Sequence, residues 1–344
     1  MNFQQLRSVR EAVRSSFNLT DAAEALHTSQ PGVSRQIREL EQELGIELFV
    51  RAGKRLTGLT APGAHVLPII ERVLLETGNL RKAGEDFALQ TQGELSIAAT
   101  HTQARYALPE AVQDFRAQFP DVRLRLHQGS PRQVAQMLID GEADVAIATE
   151  ALADYPQFVA LPSYRWTHAV IAPAGHPLFE QPLTLELLAR YPLITYDAGL
   201  TGRTRIDTAF ARAGITPDIA LAAMDADVIK TYVALGMGVG IVAGMAFEAE
   251  RDTELRALDA GALFGINHTR LAILRGNYLR RYVYTFIESF APTLTREVVE
   301  AALSEDAART PADAKGVGRS VDDATPLRHE HDDADLPLAQ AQAA

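Results

Sequence analysis

The 344-residue chain contains no cysteine. Disulfides, thiolate metal ligands and thiol-based redox sensing are thereby excluded, while the cellular compartment is left open by that absence. No apolar run comes near the ~20 residues that a membrane-spanning helix needs. The opening residues, Met1-Asn2-Phe3-Gln4-Gln5-Leu6-Arg7, lack the long apolar core of a secretory signal, so a cytoplasmic protein without a membrane partner is expected. Aromatic residues are scarce at 7%, and Trp166 is the single tryptophan. An overall basic excess is missing too: 33 Lys and Arg stand against 44 Asp and Glu, for a net charge of −11. Alone, that balance argues against nucleic acid, but the placement of charge matters more than its sum. Residues 1–60 carry eight basic against seven acidic side chains, with Glu39, Glu41, Glu43 and Glu47 gathered in one stretch. Finally, no serine, histidine and carboxylate share a hydrolase's local context, and no ligand cluster has zinc spacing. No catalytic residue, metal or cofactor is expected, and the protein is read as not an enzyme.

What is present is a chain with room for two or three domains, 47% hydrophobic and 22% charged, as in soluble globular proteins. Residues 18–41 are the most informative stretch. Thr20 is expected to cap a first helix that buries Ala23 and Leu26, with Ala22 small enough for close packing. A turn at His27-Thr28 follows, and Ser29 caps a second helix whose first turn holds Pro31. The second helix buries Val33, Ile37 and Leu40 and turns Gln30, Ser34, Arg35 and Arg38 outward. Donor-rich side chains early in the second of two short helices fit a DNA-reading helix-turn-helix, with an ordinary helical hairpin as the alternative. Beyond it, residues 45–60 alternate apolar positions around the basic turn Gly53-Lys54-Arg55. That is the pattern of a β-wing, which would lay Arg51, Lys54 and Arg55 along a phosphate backbone.

This run, through Phe3-Gln4-Gln5-Leu6, Ser29-Gln30-Pro31, Ser34-Arg35, Leu44-Gly45, Leu48-Phe49 and Leu59-Thr60, resembles the N-terminal domain of LysR-type transcriptional regulators. The resemblance implies promoter DNA as a partner, assembly as a homodimer or homotetramer, and an encounter with RNA polymerase. Arg35 is the leading candidate for base readout.

From Ala61 to Gln90 the chain reads as one long helix capped by Thr60. Val66, Ile70, Val73, Thr77, Leu80, Gly84 and Phe87 fall at alternating four- and three-residue steps, a coiled-coil seam, and the helix is expected to be a dimerising linker. From Gly93 to Leu303 strands alternate with helical segments. Strands are expected at 95–99, 122–126, 145–148, 169–172, 193–196, 219–222, 239–242 and 271–274, giving an α/β domain of two lobes around a cleft. LysR-type regulators carry a periplasmic-binding-protein-like effector domain at this place. Residues 304–344, rich in Ala, Asp, Pro and Gly, are expected to form a disordered acidic tail.

Ligands favour strand ends that face helix starts, where free N–H groups and the helix dipole attract anions. Thr100-His101-Thr102-Gln103 lies at such a place. Together with residues 127–131, 148–152, 207–210, 225–233 and 290–296, the block 100–109 resembles the cysteine-regulon (CysB/Cbl) subfamily of LysR-type activators. The resemblance implies a cleft for sulfate-like anions and for N-acetylserine or O-acetylserine, with contacts falling on Thr100, Thr102, Gln103, Thr149, Trp166, Thr201 and Gly202. It also leaves two regulons open, general cysteine biosynthesis and the use of sulfonates or sulfate esters. One departure stands out: Tyr196-Asp197-Ala198-Gly199-Leu200 replaces a Thr-Phe pair and a second Phe of the subfamily. A carboxylate at Asp197 would repel an anion unless paired, and Arg203 and Arg205 are the nearby candidates.

Three further features are weighed. Gly236-Met237-Gly238-Val239-Gly240 follows a helix and precedes a strand, the reverse of a dinucleotide fingerprint, and reads as a tight turn. His329-Glu330-His331-Asp332-Asp333 reads as solvated tail rather than a metal site. Lys230 either approaches the cleft or pairs with an acid. An α/β solute-binding protein with an incidental helical N-terminus is the reading from another functional class.

Overall fold

The computed structural model describes residues 1–53, 55–88, 92–200 and 202–307. Asn2 caps α1 (Phe3–Arg14) in a reciprocal box with Gln5, and Leu6, Val9 and Ala12 are buried along one face. The chain then turns through Ser16 and Phe17, both at positive φ. The Phe17 N–H donates to the Ala12 carbonyl at 2.7 Å and its ring meets Phe49 edge-on, contacts that offset the strained backbone. The expected Thr20 cap is corrected here. Asn18 caps α2 (Leu19–Ala25), its side chain accepting from the Thr20 N–H at 3.0 Å. Asparagine is the stronger cap, and starting at Leu19 allows that leucine to be buried. Ala22 and Ala23 are buried and Leu26 packs at the margin of the same core. As expected, Ser29 caps α3 (Gln30–Leu44), with Pro31 in the first turn and Val33, Ile37 and Leu40 at most 1% exposed. Strands β1 (Phe49–Ala52) and β2 (Arg55–Leu59) pair antiparallel as the wing.

Helix α4 (Ala61–Ala88) begins where Thr60 Oγ1 accepts from the Gly63 N–H. Its 28 residues reach roughly 42 Å. Ile70 and Leu74 pack against the helix-turn-helix core. Val73, Leu80 and Phe87, spaced by sevens, are 39%, 77% and 75% exposed, so that stripe of the helix is unused within the chain. Farther along, Lys82 pairs with Asp144, while buried Asp86 accepts from the Tyr278 hydroxyl and the Arg281 N–H.

The remainder is two five-stranded mixed sheets. The first lobe holds β3 (Gly93–Ala99), α5 (Leu108–Gln118), β4 (Val122–Gln128), α6 (Pro131–Asp140), β5 (Val145–Ala148) and β6 (Phe158–Trp166). The second holds β7 (His168–Pro173), α7 (Leu185–Leu188), β8 (Leu193–Tyr196), α8 (Arg203–Arg212), β9 (Ile219–Ala223), α9 (Ala226–Ala234), β10 (Val239–Ala243), β11 (Leu255–Asp259) and α10 (Gly261–Phe264). The chain then returns to the first lobe with β12 (Asn267–Leu274), α11 (Arg281–Phe290) and α12 (Arg296–Ala307). Strand orders are β4-β3-β5-β12-β6 and β11-β7-β10-β8-β9. Each lobe has its own core, one around Phe115, Tyr282 and Phe286 and another around Ile206, Phe210 and Phe264. Two short crossings join the lobes, one at Thr167 and one between Phe264 and Asn267.

All eight expected strands form, and two more, β6 and β11, were not expected. Both are sheet edges, where Pro162 is tolerated in β6 and where a strand needs no continuous apolar run. Gly236 to Gly238 form the expected turn from α9 into β10, with Gly236 at φ +75° and Gly240 already in the strand. Helix α12 continues to Ala307, past Ser304. The rest of the expected tail, His329 to Asp333 included, lies outside the described residues, as do Lys54 and Thr201. Among the described residues no helix is long and apolar enough to cross a membrane, and no cluster of His, Asp and Glu could hold a metal ion.

Candidate DNA-facing surface and effector site

On α3 the structure exposes Gln30, Arg35 and Arg38 and leaves Ser34 partly exposed. Arg35 pairs with Glu39 one turn on, at 2.7 Å, yet remains 79% exposed and free to exchange that partner for another. The Arg35 hydrogen bond, with a further one from Gln5, holds the Glu39 carboxyl below its ordinary pKa. Arg38 donates to the Ser34 hydroxyl and carbonyl at 3.1 and 3.2 Å. Gln30 and Arg55 line a single groove with residues 16–20, so the start of α3 and the wing are brought together. Arg51 is different. It pairs at 2.7 Å with Glu41, a buried carboxylate that also accepts the Leu48 and Phe49 N–H groups. Sequence reading missed this tie, because nothing in the pattern marks Glu41 as buried.

The second constellation forms where β3 and β5 end side by side. The Thr100 N–H donates to the Ile147 carbonyl at 3.2 Å, setting Thr100 beside the end of the strand that leads into Thr149. The chain turns directly into a helix whose residues 103–107 are π-helical, a distortion common at functional positions. Thr100, Thr102 and Gln103 are 2%, 1% and 0% exposed, and Thr149 and Trp166 are 6%. Thr100 Oγ1, Thr102 Oγ1, Gln103 Nε2 and Trp166 Nε1 are buried without a hydrogen-bond partner. Each such atom costs about 1–3 kcal/mol if left unmade, so a cluster of them marks a place where another molecule supplies the partners.

Tyr164, Asn267 and Thr269, which the sequence reading did not single out, complete this surface. Tyr164 and Trp166 on β6 lie opposite Thr269 and Asn267 on β12, so all four side chains share one face. The Tyr164 hydroxyl donates to Gln103 Oε1, leaving Nε2 as that side chain's open donor. Trp166 meets His168 edge-on at 5.1 Å, and Asn267 Nδ2 lies 3.3 Å from His168 Nδ1. Gly202, at φ +72°, closes against this pair: a Cβ there would stand 2.6 Å from His168 Nε2 and 2.9 Å from Asn267 Oδ1. Tyr196, fully buried near Thr102, accepts the Ala243 N–H. Burial pushes the Tyr164 and Tyr196 phenols up to about 12, so both remain neutral at physiological pH. The structure thus gathers Thr100, Thr102, Gln103, Trp166 and Gly202 along the lobe junction.

One expectation changes and one open alternative is decided. Arg203 does not pair with Asp197: it binds Asp207 at 2.7 Å and the Tyr196 carbonyl at 2.6 Å. The backbone N–H of Asp197 donates to the Ala223 carbonyl, which fixes the turn without that ion pair. Lys230 pairs with acids, Asp252 at 3.1 Å and Asp227 at 3.4 Å, and is 8% exposed.

A winged helix-turn-helix joined by one long helix to a two-lobed α/β domain, with a polar site at the lobe junction, defines a one-component regulator. Residues 3–64 match the bacterial regulatory helix-turn-helix family of lysR type, and residues 88–295 match the LysR substrate binding domain. The chain is 57% identical over 308 residues to the HTH-type transcriptional regulator CysB of Burkholderia cenocepacia, covering 89% of this chain and 98% of that one. It is 56% identical over 306 residues to SsuR of the same organism, covering 89% and 99%. Its fold matches the crystal structure of the cofactor-binding domain of the Cbl transcriptional regulator with a TM-score of 0.60 and 50% identity, over 62% of this chain and 95% of that one. The chain belongs to the LysR family of transcriptional regulators.

Proposed function

We propose that this regulator activates genes of cysteine biosynthesis and sulfur assimilation in response to N-acetylserine, O-acetylserine or a sulfate-like anion bound between its lobes. One observation carries the reading: the buried, unpartnered polar atoms of Thr100, Thr102 and Gln103 at a helix start, with that of Trp166 on β6. Neutral donors beside the positive end of a helix dipole suit an anion without any basic side chain. Thr149, Thr201 and Gly202 complete the contacts. Gln30, Ser34, Arg35 and Arg38 face the major groove, and Arg51, Lys54 and Arg55 the phosphates. Dimers form through α4 and pair as tetramers on promoter DNA in the cytoplasm, where they meet RNA polymerase. An effector acts by binding one arrangement of lobes and subunits better than another.

Trp166 supplies the test, being the sole tryptophan and buried at 6% exposure beside the proposed contacts. Titrating N-acetylserine or sulfate should change its emission saturably, and a flat response to both would count against this function. A second reading, a regulator of sulfonate or sulfate-ester use, is favoured by Asp197, Ala198 and Leu200 beside the site. Under that reading an Asp197→Thr/Ala198→Phe double variant changes the ranking of effectors, and an unchanged ranking removes it.

A further inference from the structure

The buried polar row holds one group that a bare oxyanion cannot serve. Gln103 Nε2 and Trp166 Nε1 donate, and the hydroxyls of Thr100, Thr102 and Thr269 can donate or accept; all five suit an anion. Asn267 Oδ1 can only accept, and it has no hydrogen-bond partner among the described residues. Asn267 is 0% exposed, so bulk water does not reach it. Its Nδ2 is engaged with His168 Nδ1, which leaves Oδ1 directed at Gly202. On the neighbouring strand it lies opposite Trp166. Asn267 therefore sits between two candidate effector contacts, with its acceptor turned to the side where Gly202 has no side chain.

We propose that Asn267 is a specificity-determining residue of the effector site, accepting a hydrogen bond from an N–H or O–H of the bound effector. This rests on the anion-site reading above and deepens it. Effectors must present two faces, an anionic group to the donors at 100–103 and a hydrogen-bond donor to the hinge. Acylated amino acids have both, whereas sulfate has only the first. A carbonyl oxygen held against an anion repels it, and a ligand without a donor leaves the buried acceptor unpaired. Asn267 thus separates the two ligand classes, while the threonines bind both.

The experiment is calorimetric titration of the full chain with N-acetylserine and with sulfate, for the wild type and Asn267→Leu. The leucine keeps the branched shape with somewhat more bulk, and removes the acceptor together with the Nδ2 contact to His168. N-acetylserine should weaken about tenfold in the variant while sulfate stays within about twofold or improves. Equal weakening of both ligands, or no change in either, overturns the inference. A ligand-side series on the wild type guards against a variant that fails to fold. It compares N-acetylserine with its ester isostere, which lacks the N–H, and with N-acetylalanine, which lacks the hydroxyl. One of these should lose about tenfold, and if neither does the inference fails. Wild-type protein that binds neither N-acetylserine nor sulfate is a different result, one that overturns the anion-site reading itself and this inference with it.

Discussion

The Tyr106 hydroxyl donates a 2.5 Å hydrogen bond to Asp227, and that bond joins the two lobes. Tyr106 lies in the π-helical turn of the first lobe and Asp227 in the first turn of α9 in the second. Arg105 pairs with the other Asp227 oxygen at 3.3 Å, Lys230 stands 5.2 Å over the Tyr106 ring, and the ring packs on the second lobe's core. Gln103 belongs to the same turn as Tyr106. An effector held by Gln103 is thus held by a segment that also fastens the lobes.

Loosening that clasp should speed effector release. Asp227→Asn and Tyr106→Phe are expected to raise the dissociation rate about tenfold, read by stopped-flow Trp166 emission. Burial alone would push the Asp227 carboxyl up, but the Tyr106 hydroxyl, Lys230 and Arg105 outweigh it and hold the group below its usual range. A carboxyl depressed in the folded state contributes fully above its ordinary pKa and loses that contribution only as pH falls through the lowered value. Asp227 therefore stays charged through pH ~5–8, and the clasp's part in release should be constant there and weaken only below about pH 4. Wild-type release rates in both variants would remove the clasp from the mechanism.

The DNA-facing residues should separate by role. Arg35→Ala is expected to cost about 1–3 kcal/mol of preference for the operator over random duplex. Arg55→Ala should weaken all duplexes alike and lower the salt slope by about one. Fluorescence anisotropy across a salt series on both duplexes tests this, and equal loss on both for Arg35→Ala would contradict base readout. Arg51→Ala should destabilise the winged domain as well, because it strips the partner from buried Glu41.

The exposed stripe of α4 predicts assembly. Leu80→Asp and Phe87→Asp place charges where a partner helix would pack, at positions 77% and 75% exposed in the single chain. Sedimentation should show a smaller species with an unchanged melting temperature for the monomeric fold. An unaltered oligomer would move the interface elsewhere.

Much of this was legible because it rests on local chemistry. The Ser29 cap, the 33-37-40 stripe and the central strands each follow from a pattern a few residues long. Edge strands β6 and β11 were not legible, since they lack both the strict alternation of edge strand β4 and the apolar run of edge strand β9. In the site, Thr100, Thr102 and Gln103 stood out as a hydroxyl-rich helix start. Tyr164, Asn267 and Thr269 did not: they come from β6 and β12, which neighbour each other only after the chain has passed through the second lobe and returned. Asn18 displaced Thr20 as the cap because two good capping residues lay two positions apart, and burial of Leu19 decided between them.

Gly202 offers a check on the geometry of the lobe junction. Gly202→Ala sets a methyl 2.6 Å from His168 Nε2 in a left-handed backbone conformation. The variant should lose effector binding by more than about tenfold, and the strained backbone alone costs about 1–2 kcal/mol of stability. Unchanged effector affinity in calorimetry would place Gly202 away from the ligand.

On the proposed function, an anion bound at Thr100 to Gln103 alters how the protein holds DNA. The most direct measurement is a footprint on a sulfur-assimilation promoter with and without N-acetylserine, for the wild type and Thr102→Val. The effector should change the wild-type footprint and leave that of Thr102→Val unaltered, with both proteins binding the promoter. A footprint indifferent to the effector in the wild type, or responding equally in Thr102→Val, would contradict it.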